Sequence, residues 1–139
     1  MDLSKYYSNF ECNLKSREVL NEFKEYIDLS NYKFDLFSEK RTEIFNLPEH
    51  KREKTVEITL ILDICYQLYD DYLNYASDDT RKHIFYLVFT TELVRDFETA
   101  ISDLITSREE KLKIFNKFVN RVDFEKENIL KHILEYLSR

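Results

Sequence analysis

Apolar positions recur along this chain with a helical period. Val19, Leu20, Phe23 and Ile27 share one side of "REVLNEFKEYI", with Ser16 as its cap. From Leu29 to Leu36, Tyr32, Phe34 and Leu36 alternate with Lys33 and Asp35. That is a strand pattern without a partner strand, so an extended connection is expected, leading into a helix over Leu36–Phe45. Pro48 punctuates the loop "NLPEHKRE". The next helix is predicted from about Arg52 to Ala76, with Ile58, Leu62, Cys65, Tyr69, Tyr72, Leu73 and Ala76 in one stripe. Its first half, "VEITLILDIC", is apolar on nearly all sides and should lie deep in the core.

"SDD" then interrupts the pattern and caps a helix of about Thr80 to Ile105. Phe89, Leu93, Phe97, Ala100 and Leu104 form one apolar face of it. Ile84, Leu87, Val94, Ile101 and Ile105 form another. A helix with two apolar faces sits between neighbours, so this one is predicted to be central. Ser107 and Glu110 make a capping box opening a helix with Leu112, Phe115, Val119 and Val122. Asp123 can cap a last helix carrying Ile129, Leu130, Ile133, Leu134 and Leu137.

Short connections make successive helices antiparallel neighbours. The expected fold is all-α: a compact bundle of five to six antiparallel helices in a single domain over residues 1–139. Leu62, Cys65, Tyr69, Leu93, Phe97, Ile101 and Phe115 are its expected core.

Composition supports this reading. The 139 residues include no glycine, one proline and no tryptophan. Glycine hairpins, Walker A loops and dinucleotide fingerprints are thereby excluded. The longest apolar run, "ITLILDIC", is too short for the roughly 20 residues that cross a bilayer. "DLSKYYSNFE", after Met1, lacks the pattern of a secretory leader. A cytosolic protein without membrane attachment is expected. Cys12 and Cys65 make no C-x-x-C pair and no zinc pattern.

Catalytic motifs are missing too. Of the three histidines, His50, His83 and His132, none follows a glutamate by three residues, and there is no H-E-x-x-H. Cys65 has apolar and acidic neighbours, a setting that disfavours a thiolate. No enzyme activity, cofactor or metal site is expected. Direct nucleic-acid binding needs clustered lysine and arginine, whereas the net charge here is −6.

That charge is concentrated. Residues 56–104 hold 3 basic and 10 acidic side chains, a balance of −7, more than the chain's whole net charge. Mixed i,i+4 pairs stabilise a helix by about 0.2–0.5 kcal/mol each, and a one-signed segment loses that contribution. Asp63, Gln67, Asp70 and Asn74 form a polar strip, with Asp71 beside it and Tyr66 at its border. Tyr75 lies off the apolar stripe. Glu92, Asp96 and Asp103 form a second strip, and Asp78 and Asp79 sit at the turn between the helices.

The expected partner-binding surface is therefore Asp63, Tyr66, Asp70, Asp71, Asn74, Tyr75, Asp78, Asp79, Glu92, Asp96 and Asp103. Acidic fields steer association with a basic patch, and tyrosine adds contact area at low entropy cost. The expected function is a small inhibitor of a basic protein partner, most concretely an immunity protein or antitoxin neutralising a nuclease-type toxin. The alternative is a helical adaptor, such as a viral Bcl-2-like decoy, holding a partner helix in an apolar groove.

Overall fold

The computed structural model describes residues 4–15, 17, 18, 22, 33–75, 80–119 and 126–138. Six helices run through these residues: α1 (Ser4–Lys15), α2 (Asp35–Phe45), α3 (Glu49–Tyr75), α4 (Thr80–Leu104), α5 (Arg108–Val119) and α6 (Lys126–Leu137). No strand occurs among them, so the all-α bundle is as expected. None of these helices is long and apolar enough to cross a membrane.

The most enclosed element is α3, which packs against α1, α2, α4 and α6. Every residue from Ile58 to Cys65 is buried, as the all-round apolar pattern of that stretch requires. The two threonines in this half do not spoil it. Thr55 donates its hydroxyl to the Lys51 carbonyl at 2.7 Å, and Thr59 donates to Thr55 at 2.7 Å. Each buried hydroxyl is thus satisfied within its own helix. Pro48 stands just before α3, where a missing N–H costs no helical bond, and the helix begins three residues earlier than the pattern suggested.

Helix α4 lies along α3 and also carries α5, so it sits between neighbours as its two faces predict. Phe85, Phe89, Leu93, Phe97, Ala100 and Ile101 are buried. The second face is divided. Ile101 and Ile105 are buried and Val94 is partly buried, whereas Ile84 and Leu87 are 46% and 53% exposed. The central position therefore belongs to α3 as much as to α4.

Phe97 stacks on Phe118 of α5, with ring centroids 3.9 Å apart. The Ser107 cap is present: its Oγ accepts the Glu110 N–H at 3.3 Å. In α6, Ile129, Leu130, Ile133, Leu134 and Leu137 are all buried. Lys51 of α3 donates to the Leu137 carbonyl at 3.3 Å, placing a cation at the negative end of α6.

Helix α1 is an addition to the expected set. Tyr6, Phe10 and Leu14 recur every four residues and are buried on one side of it, packed against α3. The helix expected over Arg17–Ile27, the Asp123 cap and the "SDD" cap fall mostly or wholly outside the described residues, as do residues 29–32. Of the expected core, Leu62, Cys65, Leu93, Phe97 and Ile101 are buried, and Tyr69 and Phe115 are half-buried.

Leu93 and Phe97 are both fully enclosed. Leu93→Ala or Phe97→Ala should each lower unfolding free energy by about 2–5 kcal/mol, read by chemical denaturation. Near-neutral stability in both would show that α4 is not anchored through this face.

Candidate functional site

The acidic residues of α3 and α4 do not form one continuous surface. Asp63 departs furthest from expectation, because its side chain is fully buried. Its Oδ1 accepts the Lys126 ammonium at 2.8 Å and the Leu36 N–H at 3.3 Å, and its Oδ2 accepts the Phe37 N–H at 3.2 Å. Leu36 and Phe37 belong to the first turn of α2, whose own cap residue, Phe34, supplies no side-chain bond. Asp63 therefore caps α2 from a different helix, satisfying two N–H groups that a helix start leaves without partners. It also neutralises Lys126, a cation at the N-terminus of α6, where the helix dipole disfavours positive charge.

One turn further, Gln67 continues the same task. Its carbonyl accepts the Lys33 N–H at 2.7 Å, and its amide donates to the Lys33 carbonyl at 2.6 Å and to the Asp63 carbonyl at 3.0 Å. The side chain acts like a peptide group set across the chain entering α2. Two members of the expected polar strip thus face protein. The rule that placed them outside treats helical polarity as exposure, and it fails where a second chain segment offers donors.

The strip on α4 is also engaged. Arg17 pairs with Asp96 and reaches Glu92 at 3.5 Å. Asp103 lies 3.6 Å from Lys54, which also meets Glu57 at 3.4 Å. Burial of Lys54 works against its charge, but the Glu57 and Asp103 carboxylates outweigh that effect and hold the ammonium above its ordinary range. Burial pushes the Glu57 carboxyl up, and the negative charges of Asp96 and Glu53 add to this, with Lys54 opposing it. Burial likewise raises the Asp63 carboxyl, against the pull of Lys126 and the two backbone N–H groups.

What remains outward on α3 is Tyr66, 43% exposed, and Asp70, one turn further on. The Lys126 ammonium sits 4.8 Å from the centre of the Tyr66 ring, a cation–π contact that fixes the tyrosine beside the buried pair. Asp71, Asn74 and Tyr75 lie on the last turns of α3, and their side chains fall outside the described residues. Asp78 and Asp79 fall outside them altogether. Among the described residues, no group of three or more His, Cys, Asp or Glu side chains could hold a metal ion.

His132 is partly buried, with Nε2 2.6 Å from Glu110 Oε2, joining α5 to α6. Nearby, the half-buried Tyr136 faces Thr106 at 3.5 Å, and that hydrogen bond draws its phenol below the ordinary value. A cleft of about 600 Å³ opens between the C-terminal ends of α2 and α6, lined by Lys40, Glu43, Lys131 and Glu135. Its charges are mixed and its mouth is open.

Lys126→Met should cost about 3–5 kcal/mol, because it strands a buried carboxylate. Adding Asp63→Asn should recover much of the loss, and strict additivity in denaturation midpoints would show the pair is uncoupled. The folded state holds a proton on Glu57 more tightly than the unfolded chain does, so this residue favours folding most in acid. Its contribution declines as pH rises through the window just above the ordinary 4.5. Glu57→Gln should therefore gain stability relative to wild type as pH rises through that window. No protein-family model, curated protein or solved structure matches this chain.

Proposed function

We propose that this protein acts by binding a basic protein partner through the C-terminal half of α3, around Tyr66 and Asp70. Its most concrete form is an immunity protein or antitoxin that occupies the nucleic-acid site of a nuclease-type toxin in the cytosol. The observation that carries this reading is the placement of Tyr66 and Asp70. They stand one turn apart on α3 and face outward, just where the fully buried run ends. The chain beyond them holds Asp71, Asp78 and Asp79 before the first cation of α4, Arg81.

The acidic surface in this reading is smaller than the two-helix strip. Glu92, Asp96 and Asp103 are committed to Arg17 and Lys54, and Asp63 to Lys126. This reading assigns the partner surface to Tyr66 and Asp70, with Asp71, Asn74, Tyr75, Asp78 and Asp79 following in the chain. An aromatic flanked by carboxylates suits a lysine- or arginine-rich surface, since it supplies contact area, cation–π attraction and long-range steering together. Binding, without catalysis, is the whole of this role.

The adaptor alternative draws on the exposed apolar strip of α4, Ile84, Leu87 and Val88. That strip is the outward side of a helix, not a groove, and the α2–α6 cleft mixes Leu47 and Leu134 with four charged side chains, Lys40, Glu43, Lys131 and Glu135. The two readings differ in their response to salt. With a partner captured on the wild-type chain and then purified, Asp70→Lys should slow association by about an order of magnitude at low ionic strength. Wild-type association should slow as salt rises. Association indifferent to both changes, yet weakened by Leu87→Asp, would replace the inhibitor with the adaptor.

A further inference from the structure

Helices α2 and α6 run parallel, as the contacts at their two ends require. At their starts, Asp63 accepts the Leu36 and Phe37 N–H groups and the Lys126 ammonium. At their ends, Lys51 of α3 holds the Leu137 carbonyl at 3.3 Å, and its neighbour Arg52 holds the Leu47 carbonyl at 2.7 Å. The cleft of about 600 Å³ opens towards these C-terminal ends. That volume is in the range of small-molecule sites, roughly 300–1,000 Å³. Leu47 and Leu134 line it and are both buried, so they form its floor.

Parallel helices sort the charges of this cleft by height. Lys40 stands four residues after Leu36, and Lys131 five after Lys126. At about 1.5 Å per residue, both lie roughly 6–8 Å from the helix starts. Glu43 and Glu135 follow seven and nine residues after the same points, roughly 10–14 Å along. The cleft thus has a cationic level and an anionic level about 5 Å apart. The anionic level lies at two helix C-termini, whose dipoles also favour positive charge. Lys40 and Glu43 meet at 3.6 Å along their own helix, a loose surface contact of small energy. The Lys131 and Glu135 side chains make no ion pair or hydrogen bond among the described residues.

We propose that this cleft binds a small zwitterion with an apolar body, of about dipeptide length. Its carboxylate meets Lys40 and Lys131, its ammonium meets Glu43 and Glu135, and its side chains lie on Leu47 and Leu134. A simple anion or cation gains from one level and is repelled by the other. A single α-amino acid spans about 3.5 Å, too little to reach both levels, whereas a dipeptide spans about 7 Å. The exposed Asn46, at the anionic end, adds a side-chain carbonyl that accepts an ammonium proton. Tyr66 stands beside Lys126 at the opposite end of α6, so the cleft is separate from the partner surface proposed above.

Leucyl-leucine titrated into the isotope-labelled full chain should shift the backbone amide resonances around Lys40–Leu47 and Lys131–Ser138. The shifts should saturate with a dissociation constant of about 1 mM or lower. N-acetyl-leucyl-leucine, which lacks the ammonium, and leucyl-leucinamide, which lacks the carboxylate, should each bind at least roughly fivefold more weakly. Lys131→Glu should weaken leucyl-leucine by a similar factor and strengthen leucyl-leucinamide. Its circular dichroism spectrum should be unchanged, because Lys131 is exposed. No saturating shift by roughly 10 mM, equal binding of the two blocked forms and the free dipeptide, or indifference to Lys131→Glu would overturn the proposal.

Discussion

The buried carboxylate of Asp63 is the constraint on which the arrangement of helices depends. It is enclosed on every side, where an unpartnered charge would be very costly. Three donors from two other helices make its position tolerable: Lys126 of α6 and the first-turn N–H groups of α2. Each of those groups would itself be left unsatisfied without Asp63. The result is mutual dependence. Sliding α2 by one turn removes its cap, and withdrawing α6 leaves two opposite charges without partners. An apolar residue at position 63 could add as much stability, since buried ion pairs often do no better than hydrophobic replacements. It could not set the relative register of three helices, because hydrophobic contact is not directional.

Much of the architecture was legible in the chain because it is written in helical periodicity. The stripe of α6 and the Ser107 cap of α5 depend on local spacing alone, and local spacing carried them. Helix α1 shows where the signal thins. Tyr6, Phe10 and Leu14 are three apolar residues at a regular interval, surrounded by serine, asparagine and lysine. The helix forms because tertiary packing against α3 supplies what its own composition lacks. The division of α4 was not legible at all. Ile84 and Ile101 belong to the same periodic face, yet one is 46% exposed and the other 1%. Periodicity reports which side of a helix is apolar. It does not report how far along that helix its neighbours extend.

The acidic site was the hardest part to read, for a related reason. Asp63, Gln67 and Asp70 follow one another at intervals of four and three residues, so they share a strip whatever their surroundings. Two of the three turned out to serve the chain itself. A clue was present in "ITLILDIC", where an acid stands within a segment apolar on all sides. Such an acid is buried, and it needs a cation from elsewhere. Lys126, at the start of the strongly apolar last helix, was the residue to pair with it, although nothing local joins two positions so distant in the chain. Glu92, Asp96 and Asp103 carry no comparable clue, because Arg17, just beyond α1, and Lys54 of α3 reach them from distant parts of the chain.

These internal pairings change what the −7 balance of the middle segment means. Arg17, Lys54 and Lys126 all come from outside residues 56–104, and they neutralise acids within it. Part of the asymmetry is therefore the signature of long-range ion pairing within the fold, distributed along the chain as one sign in the middle and the other at its flanks. Like charges concentrated on two neighbouring helices repel each other, and Lys54 at the start of α3, Arg17 beyond α1 and Lys126 of α6 turn that repulsion into attraction between elements. Among the described acids of this segment, Asp70 stays exposed, and with Tyr66 it marks the limit of the enclosed core. The outer side of α4 is opposite in chemistry: Ile84, Leu87 and Val88 stand half exposed there, while Glu92 and Arg81 beside them are drawn to Arg17 and to the Glu22 carbonyl, so the chain answers its own charges on this helix as it does around Asp63.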